Sequence, residues 1–316
     1  MQSTLKTGNP LPSPQVLATP VAHVCHDLDL APDTLLSVLE LAAQMKRTPQ
    51  RYSTALAGRN LALLFEKPSL RTAVAFELAM KQMGGDSVMA NGTLGQREPI
   101  KDMGRILGRW VNVIAARVFA QSTVDELAQC SGVPVINALS DLYHPCQALA
   151  DVQTLKERFG GWDGLKLAYV GDGNNVANSL MITAARLGVD VTVASPKGYE
   201  PTAEMVGLAR RGGKITILND PRQAVAGAHA VYTDVWTSMG QEEESAARLV
   251  AFKGYCVDDA LMSLAHKDAI FMHCLPAHRG DEVSDSVIES AQSAVFDQAE
   301  NRLHTQKALL LTLLGN

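Results

Sequence analysis

Short apolar runs alternate with helical patterns along almost the whole chain, and no other feature constrains the fold as tightly. The runs are Leu61–Phe65, Ser87–Ala90, Val113–Arg117, Val133–Asn137, Leu167–Gly171, Val189–Ala194, Lys214–Leu218, Ala230–Thr233 and Ala269–His273. Between and around them the spacing predicts helices over Asp33–Lys46, Ser69–Met83, Pro99–Trp110, Thr123–Cys130, Pro145–Phe159, Asn175–Leu187, Thr202–Arg211, Asp258–Leu264, Val283–Ser290 and Gln298–Leu314. Short apolar strands separated by helices read as right-handed βαβ units around parallel sheets. The expected fold class is therefore α/β. Gly160-Gly161-Trp162-Asp163-Gly164 interrupts the pattern and opens a second sheet. Two domains follow, 1–148 and 149–297, each a parallel β-sheet flanked by helices, with the C-terminal helix 298–316 packing back on the first.

Length agrees, since 316 residues exceed one ordinary core. The composition is that of a globular protein, and no apolar run reaches the roughly eighteen residues that span a bilayer. Met1–Pro20 is polar and lacks both the basic-then-apolar start of a signal peptide and an Arg-rich transit pattern. The five cysteines are scattered, with no C-x-x-C, which argues for a reducing cytoplasm and against a disulfide framework or a zinc site. A formal net charge of −5 gives no reason to expect nucleic acid as a partner. Any anion site must be a local positive field.

One such field is legible. Phe65-Glu66-Lys67-Pro68-Ser69-Leu70-Arg71-Thr72 empties a strand into a helix N-terminus, where backbone N–H groups lack intrahelical partners and the macrodipole favours negative charge. Ser69, Arg71 and Thr72 sit in that first turn, so the corner suits a phosphate. Taken alone, it also reads as an N-capping serine beside a solvated arginine. Open α/β sheets bind ligands at the carboxyl ends of their strands, which directs attention to four further places. Arg117 ends a strand. His144 and Gln147 flank Pro145, itself suited to a first helical position, and an imidazole with an amide there would be neutral donors to a carbonyl oxygen. Gly171-Asp172-Gly173-Asn174-Asn175 resembles a dinucleotide loop, but Val176 stands where the third glycine belongs. Asp234, in Asp234-Val235-Trp236-Thr237-Ser238-Met239-Gly240, faces a cleft otherwise lined with cations, which suggests a substrate carrying an amine.

The last motif is His273-Cys274-Leu275-Pro276-Ala277-His278-Arg279-Gly280. A metal is not expected there, because adjacent residues on a strand end point to opposite faces. A Cys-His protease pair is not expected either, because no residue is visibly placed to orient the base.

Together these residues resemble the aspartate/ornithine carbamoyltransferase family, and its ornithine-specific members closely, over nearly the whole chain. The family's S-x-R-T-R is Ser69-Leu70-Arg71-Thr72-Ala73, its H-P-C-Q is His144-Pro145-Cys146-Gln147, its D-x-x-x-S-M-G is Asp234 to Gly240, and its H-C-L-P is His273 to Pro276. Phe296 to Arg302 resembles its last helix. The resemblance implies that Ser69, Leu70 (through its backbone N–H), Arg71, Thr72, Arg117, His144, Pro145, Cys146, Gln147, Cys274, Leu275 and Arg302 bind carbamoyl phosphate. Asn175, Asp234, Ser238 and Met239 would bind the head of L-ornithine. Arg71, Arg117, His144, Cys274 and Arg302 would act on the reacting atoms. It further implies a cytoplasmic homotrimer, or a multiple of trimers, with sites at subunit junctions, working in arginine synthesis without a cofactor or metal. The loops of the second domain offer Asp234 and Ser238 rather than the extra cations that a dicarboxylate substrate would need. Ala73 and Thr93 depart from the family pattern, where an arginine and commonly a glutamine stand, and Gln96-Arg97 alter the same loop. Two other readings stand beside this one: a sister transferase for putrescine or an acylated ornithine, and, motivated by Ala73 and Thr93, a catalytically weak regulatory paralogue.

Overall fold

The computed structural model describes residues 23–237 and 242–315. In chain order the first half contains α1 (Pro32–Arg47), β1 (Asn60–Phe65), α2 (Leu70–Gln82), β2 (Asp86–Asn91), α3 (Ile100–Leu107), β3 (Val113–Arg117), α4 (Gln121–Cys130), β4 (Val135–Leu139) and α5 (Pro145–Phe159). The second contains β5 (Lys166–Val170), α6 (Asn175–Ala185), β6 (Asp190–Ala194), α7 (Ala203–Arg210), β7 (Ile215–Leu218), α8 (Pro221–Val225), β8 (Ala230–Thr233), α9 (Ser245–Ala251), α10 (Asp259–Met262), β9 (Ile270–His273), α11 (Asp285–Ile288) and α12 (Val295–Leu314).

Both sheets are parallel throughout, ordered β2-β1-β3-β4 and β7-β6-β5-β8-β9. Strand order reverses between β1 and β3 in the first and between β5 and β8 in the second. At such switch points the connections leave to opposite faces and open a crevice at the carboxyl ends. All four crevice-forming strands are apolar and buried along nearly their whole length, which fixes where the following loops begin.

Helices α5 and α6 pack on each other, and α12 packs on α5, α1 and α2 and touches β9. Pro145 starts α5 and Gly160, at φ 79°, ends it in the left-handed conformation that glycine adopts without a Cβ clash. Every residue of α6 from Val176 to Ala185 is buried, as expected for a helix covered on all sides. No helix among the described residues is long and apolar enough to cross a membrane.

All nine expected strands are present, with small shifts of boundary. β4 begins at Val135 rather than Val133, because Pro134 has no N–H to give to a ladder. α3 stops at Leu107, short of Trp110. Two short helices, α8 and α9, were not expected. Asp220 caps α8 and Pro221 opens it, so the first of these did carry a start signal.

The segment before α1 is clasped to α6. Buried Asp27 accepts hydrogen bonds from Ser179 at 2.6 Å and Thr183 at 3.0 Å, one helical turn apart, and Arg186 donates to the Asp27 carbonyl at 2.6 Å. Burial pushes the Asp27 carboxyl up to about 6, against 3.8 for a free one. The native state therefore holds a proton that the unfolded chain has lost across that interval. Ionising the buried group then costs stability as pH rises from about 4 to about 6, by about 3 kcal/mol at 1.36 kcal/mol per pH unit. Asp27→Asn removes that step. Denaturant unfolding at pH 4 and pH 7 should show a smaller loss on going to pH 7 in the variant than in the parent; identical losses would contradict the assignment.

Candidate active site

The loop after β1 turns sharply into α2. Ser69, extended at φ −158°, caps the helix and accepts from the Thr72 N–H at 3.3 Å. Glu66 braces this corner from below: its Oε1 accepts from Leu94 N–H at 2.9 Å and its Oε2 from Phe119 N–H at 2.8 Å. One carboxylate thus ties together the loops that follow β1, β2 and β3. Lys67 lies 4.5 Å over the Phe119 ring. Ala73 packs against the main core.

Three guanidiniums meet at this corner. Arg71 is half-buried, and burial lowers its affinity for a proton. Arg117, at the end of β3, is pushed down to about 10 by burial and then by the nearby charge of Arg302. Arg302, on α12, donates from Nη2 to Thr72 Oγ1 at 3.0 Å and from Nη1 to Gln147 Oε1. All three remain charged near neutrality, so the corner is strongly positive and poorly hydrated.

His144 is the N-cap residue of α5, and its backbone N–H donates to Ser179 Oγ at 2.8 Å. Burial, reinforced by Arg302 and Arg117, holds its imidazole well below 6.5, so the ring is neutral at pH 7. That agrees with its expected action as a neutral donor. Gln147 lines the cavity; its amide donates one N–H to Asp151 at 2.8 Å and its oxygen accepts from Arg302, so the amide also orients the guanidinium. Pro145 and Cys146 are buried and do not line the cavity. Pro145 opens the helix, and the Cys146 thiol turns back to the Asn137 carbonyl at 3.5 Å.

The opposite wall comes from the second sheet. Asp234, just after β8, accepts from Asn174 Nδ2 at 2.8 Å through Oδ2, and from its neighbour Val235 N–H at 2.8 Å through Oδ1. The Cys274 thiol donates to Oδ1 at 2.9 Å. Burial and the Asp234 charge hold that thiol well above its ordinary range, so it stays protonated. Asn175 lines the cavity and donates to the Ser140 carbonyl across the two sheets. Ser238 and Met239 lie outside the described residues.

The His273–Cys274 geometry corrects an expectation. One potential metal-ligand atom from each of Asp234, His273 and Cys274 lies within 4.8 Å of the others. The strand ends at His273 and the chain bends into Leu275 at φ 56°, so strand alternation no longer separates the side chains. The ring is nevertheless committed. Its Nδ1 accepts from Leu275 N–H at 2.8 Å and its Nε2 faces Glu282 at 3.2 Å, which leaves no lone pair for an ion. Glu282 also supplies the orienting group that the sequence did not reveal. Because the ring faces Leu275 N–H and the thiol faces Asp234, the two do not form a nucleophile–base pair.

These walls enclose one cavity of about 360 Å³. Ser69, Leu70, Arg71, Thr72, Arg117, His144, Gln147, Asn175, Asp234, Cys274, Leu275 and Arg302 all line it, as expected from the sequence. It also takes in Lys67, Thr237, Pro276 and His278, which were not singled out as site residues. Asn174 was overlooked as well, although a residue capping a helix after a glycine loop is a recognisable signal. Its Oδ1 accepts from Val176 and Ala177 N–H at 3.0 and 3.1 Å, while its Nδ2 holds Asp234.

Chemically, one end offers three cations and a helix N-terminus to a dianion, and the other offers a buried carboxylate to an ammonium group. Asn174→Ala should cost about 1 kcal/mol through the lost cap, and Asn174→Asp should cost more, because a second carboxylate would face Asp234. Denaturant titration of both variants checks the order; Asn174→Asp as stable as the parent would contradict this reading of the pair.

Residues 22–157 match the model of the aspartate/ornithine carbamoyltransferase carbamoyl-P binding domain, and residues 163–313 that of the Asp/Orn binding domain. A relative from Acidothermus cellulolyticus, named ornithine carbamoyltransferase, is 52% identical over 93% of this chain and 97% of its own. The solved ornithine carbamoyltransferase from Pyrococcus furiosus superposes with a TM-score of 0.91 at 45% identity, covering 95% of this chain and 99% of that one. For the enzyme of the same name from Thermus thermophilus the TM-score is 0.86 at 48% identity, over 94% and 100%. With both halves matched and the motifs assembled around one cavity, the chain belongs to the aspartate/ornithine carbamoyltransferase family.

Proposed function

We propose that this chain transfers the carbamoyl group of carbamoyl phosphate to the δ-amine of L-ornithine, giving L-citrulline and phosphate. One observation carries the reading: a single cavity has Arg71, Arg117 and Arg302 at one end and the buried Asp234 at the other. The relatives' names agree with it. In this reading the phosphate lies against Arg71, Arg117 and the N-terminus of α2, where Ser69, Thr72 and the backbone N–H of Leu70 complete its contacts. His144 and Arg302 polarise the carbamoyl oxygen. Asp234 takes the α-ammonium group of ornithine, with Asn175, Ser238 and Met239 around the amino-acid head, and the Cys274 thiol keeps Asp234 in orientation. The neutral δ-amine attacks the carbamoyl carbon, the carbon–oxygen bond to phosphate breaks with its electron pair going to the phosphate, and the departing phosphate takes up the proton that the amine gives up. Holding both reactants in line supplies several kcal/mol of the acceleration.

The working form is a homotrimer in the cytoplasm, serving arginine synthesis. Leu70, Val74 and Leu78 recur every four residues along α2 and are exposed, beside exposed Val88 and Met89 on the edge strand β2. A partner subunit would cover that apolar surface.

Citrulline formation measured with ornithine, putrescine and N-acetylornithine tests the substrate assignment; ornithine should be strongly preferred, and preference for either alternative would refute it. Arg71→Ala or Arg117→Ala should lower turnover by roughly 3–4 kcal/mol, or two to three orders of magnitude, with the fold intact. Near-normal turnover and carbamoyl phosphate affinity in either variant would remove that arginine from the site. Apparent ornithine affinity should improve from pH 7 to 9. A δ-amine titrates near 10.4 as lysine does, so the neutral form costs about 4–5 kcal/mol at pH 7. A flat profile with chemistry rate-limiting would count against attack by the free amine.

A further inference from the structure

Behind the cavity, Asp151 lies on α5 one turn beyond Gln147 and is completely buried. Its Oδ1 accepts from the Gln147 amide at 2.8 Å and from the Gln298 amide at 2.6 Å. Each amide has a second contact facing the other way. The oxygen of Gln147 accepts from Arg302, and the oxygen of Gln298 accepts from the backbone N–H of His273 at 2.9 Å, directly before Cys274 and Leu275. A side-chain amide donates from one edge and accepts from the other, so its flip decides what it can hold. An oxygen acceptor at Oδ1 attracts the N–H₂ edge of both glutamines and thereby turns both oxygens outward.

We propose that Asp151 is a positioning residue for the transfer, one oxygen that sets Arg302 on the carbamoyl phosphate side and the His273–Leu275 turn on the amine side together. The inference rests on the reaction proposed above. Two further observations favour it over a packing role. The completely buried carboxyl carries a desolvation cost that an apolar side chain would avoid, and the Gln147, Gln298 and Tyr232 side chains offset it only in part. Burial also pushes the carboxyl up to about 7, so an uncharged acceptor is populated near neutrality.

Two substitutions separate position from charge. Asp151→Asn keeps an acceptor oxygen at the Oδ1 position and abolishes the charge; Asp151→Glu keeps the charge and displaces the oxygen by one methylene. Citrulline kinetics, carbamoyl phosphate affinity by calorimetry and melting temperature are measured on the parent and both variants. The expected result is turnover within about threefold of the parent for Asp151→Asn. For Asp151→Glu, turnover should fall roughly 10- to 100-fold and carbamoyl phosphate binding should weaken, at temperatures where the variant is still folded. If Asp151→Glu does not fold, Asp151→Ala takes its place with the same expected loss. The reverse order, or folded variants of both kinds with parental kinetics, overturns the proposal. A parent that binds carbamoyl phosphate but makes no citrulline refutes the reaction and leaves the calorimetric comparison to judge Asp151.

Discussion

Everything at this site depends on keeping the Arg302 guanidinium buried and charged. It is 3% exposed and lies close enough to Arg117 and Arg71 to be repelled by both. Burying an ion is tolerable only when hydrogen bonds replace its water, and Thr72 and Gln147 supply them from two different helices. Arg302 thus joins α12, α2 and α5. The repulsion has a chemical consequence. Three like charges in a poorly hydrated pocket are relieved by a doubly negative ligand, and donors fixed before that ligand arrives need no reorganisation when charge develops on its oxygens.

The second half answers with the opposite sign in a smaller measure. Asp234 is buried and held by Asn174 and the Cys274 thiol. Cys274 is therefore better understood as a hydrogen-bond donor than as a nucleophile, because both its burial and its partner favour the thiol. His144 is kept neutral by burial first and then by the charges of Arg302 and Arg117, so the arrangement that suits an anion also favours the uncharged imidazole.

Much of this was legible in the sequence, for definite physical reasons. Apolar runs such as Leu61–Phe65 and Val113–Arg117 mark buried parallel strands, and in such sheets the site lies where strands end. That rule directs attention to Arg117, Asn175 and Asp234, and the helix N-terminus after Leu61–Phe65 to Arg71, while their binding roles follow from the family resemblance. What escaped was of two kinds. Short helices such as Pro221–Val225 carry too little periodicity to stand out. Buried polar partners give no local signal at all: Asp27 meets Ser179 across 152 positions and Gln298 meets Asp151 across 147. The direction of the Gln147 amide and the accommodation of His273 by Glu282 belong to the same class, since each is set by a tertiary neighbour.

The central claim is that one cavity holds a phosphate and an amino-acid head together. Calorimetric titration with a single molecule joining a phosphonate to an L-ornithine head through an amide tests it most directly. The expected result is binding several orders of magnitude tighter than the isolated phosphonate or ornithine, because the second contact becomes intramolecular. An affinity no better than that of the tighter half would show that the two ends do not act as one site.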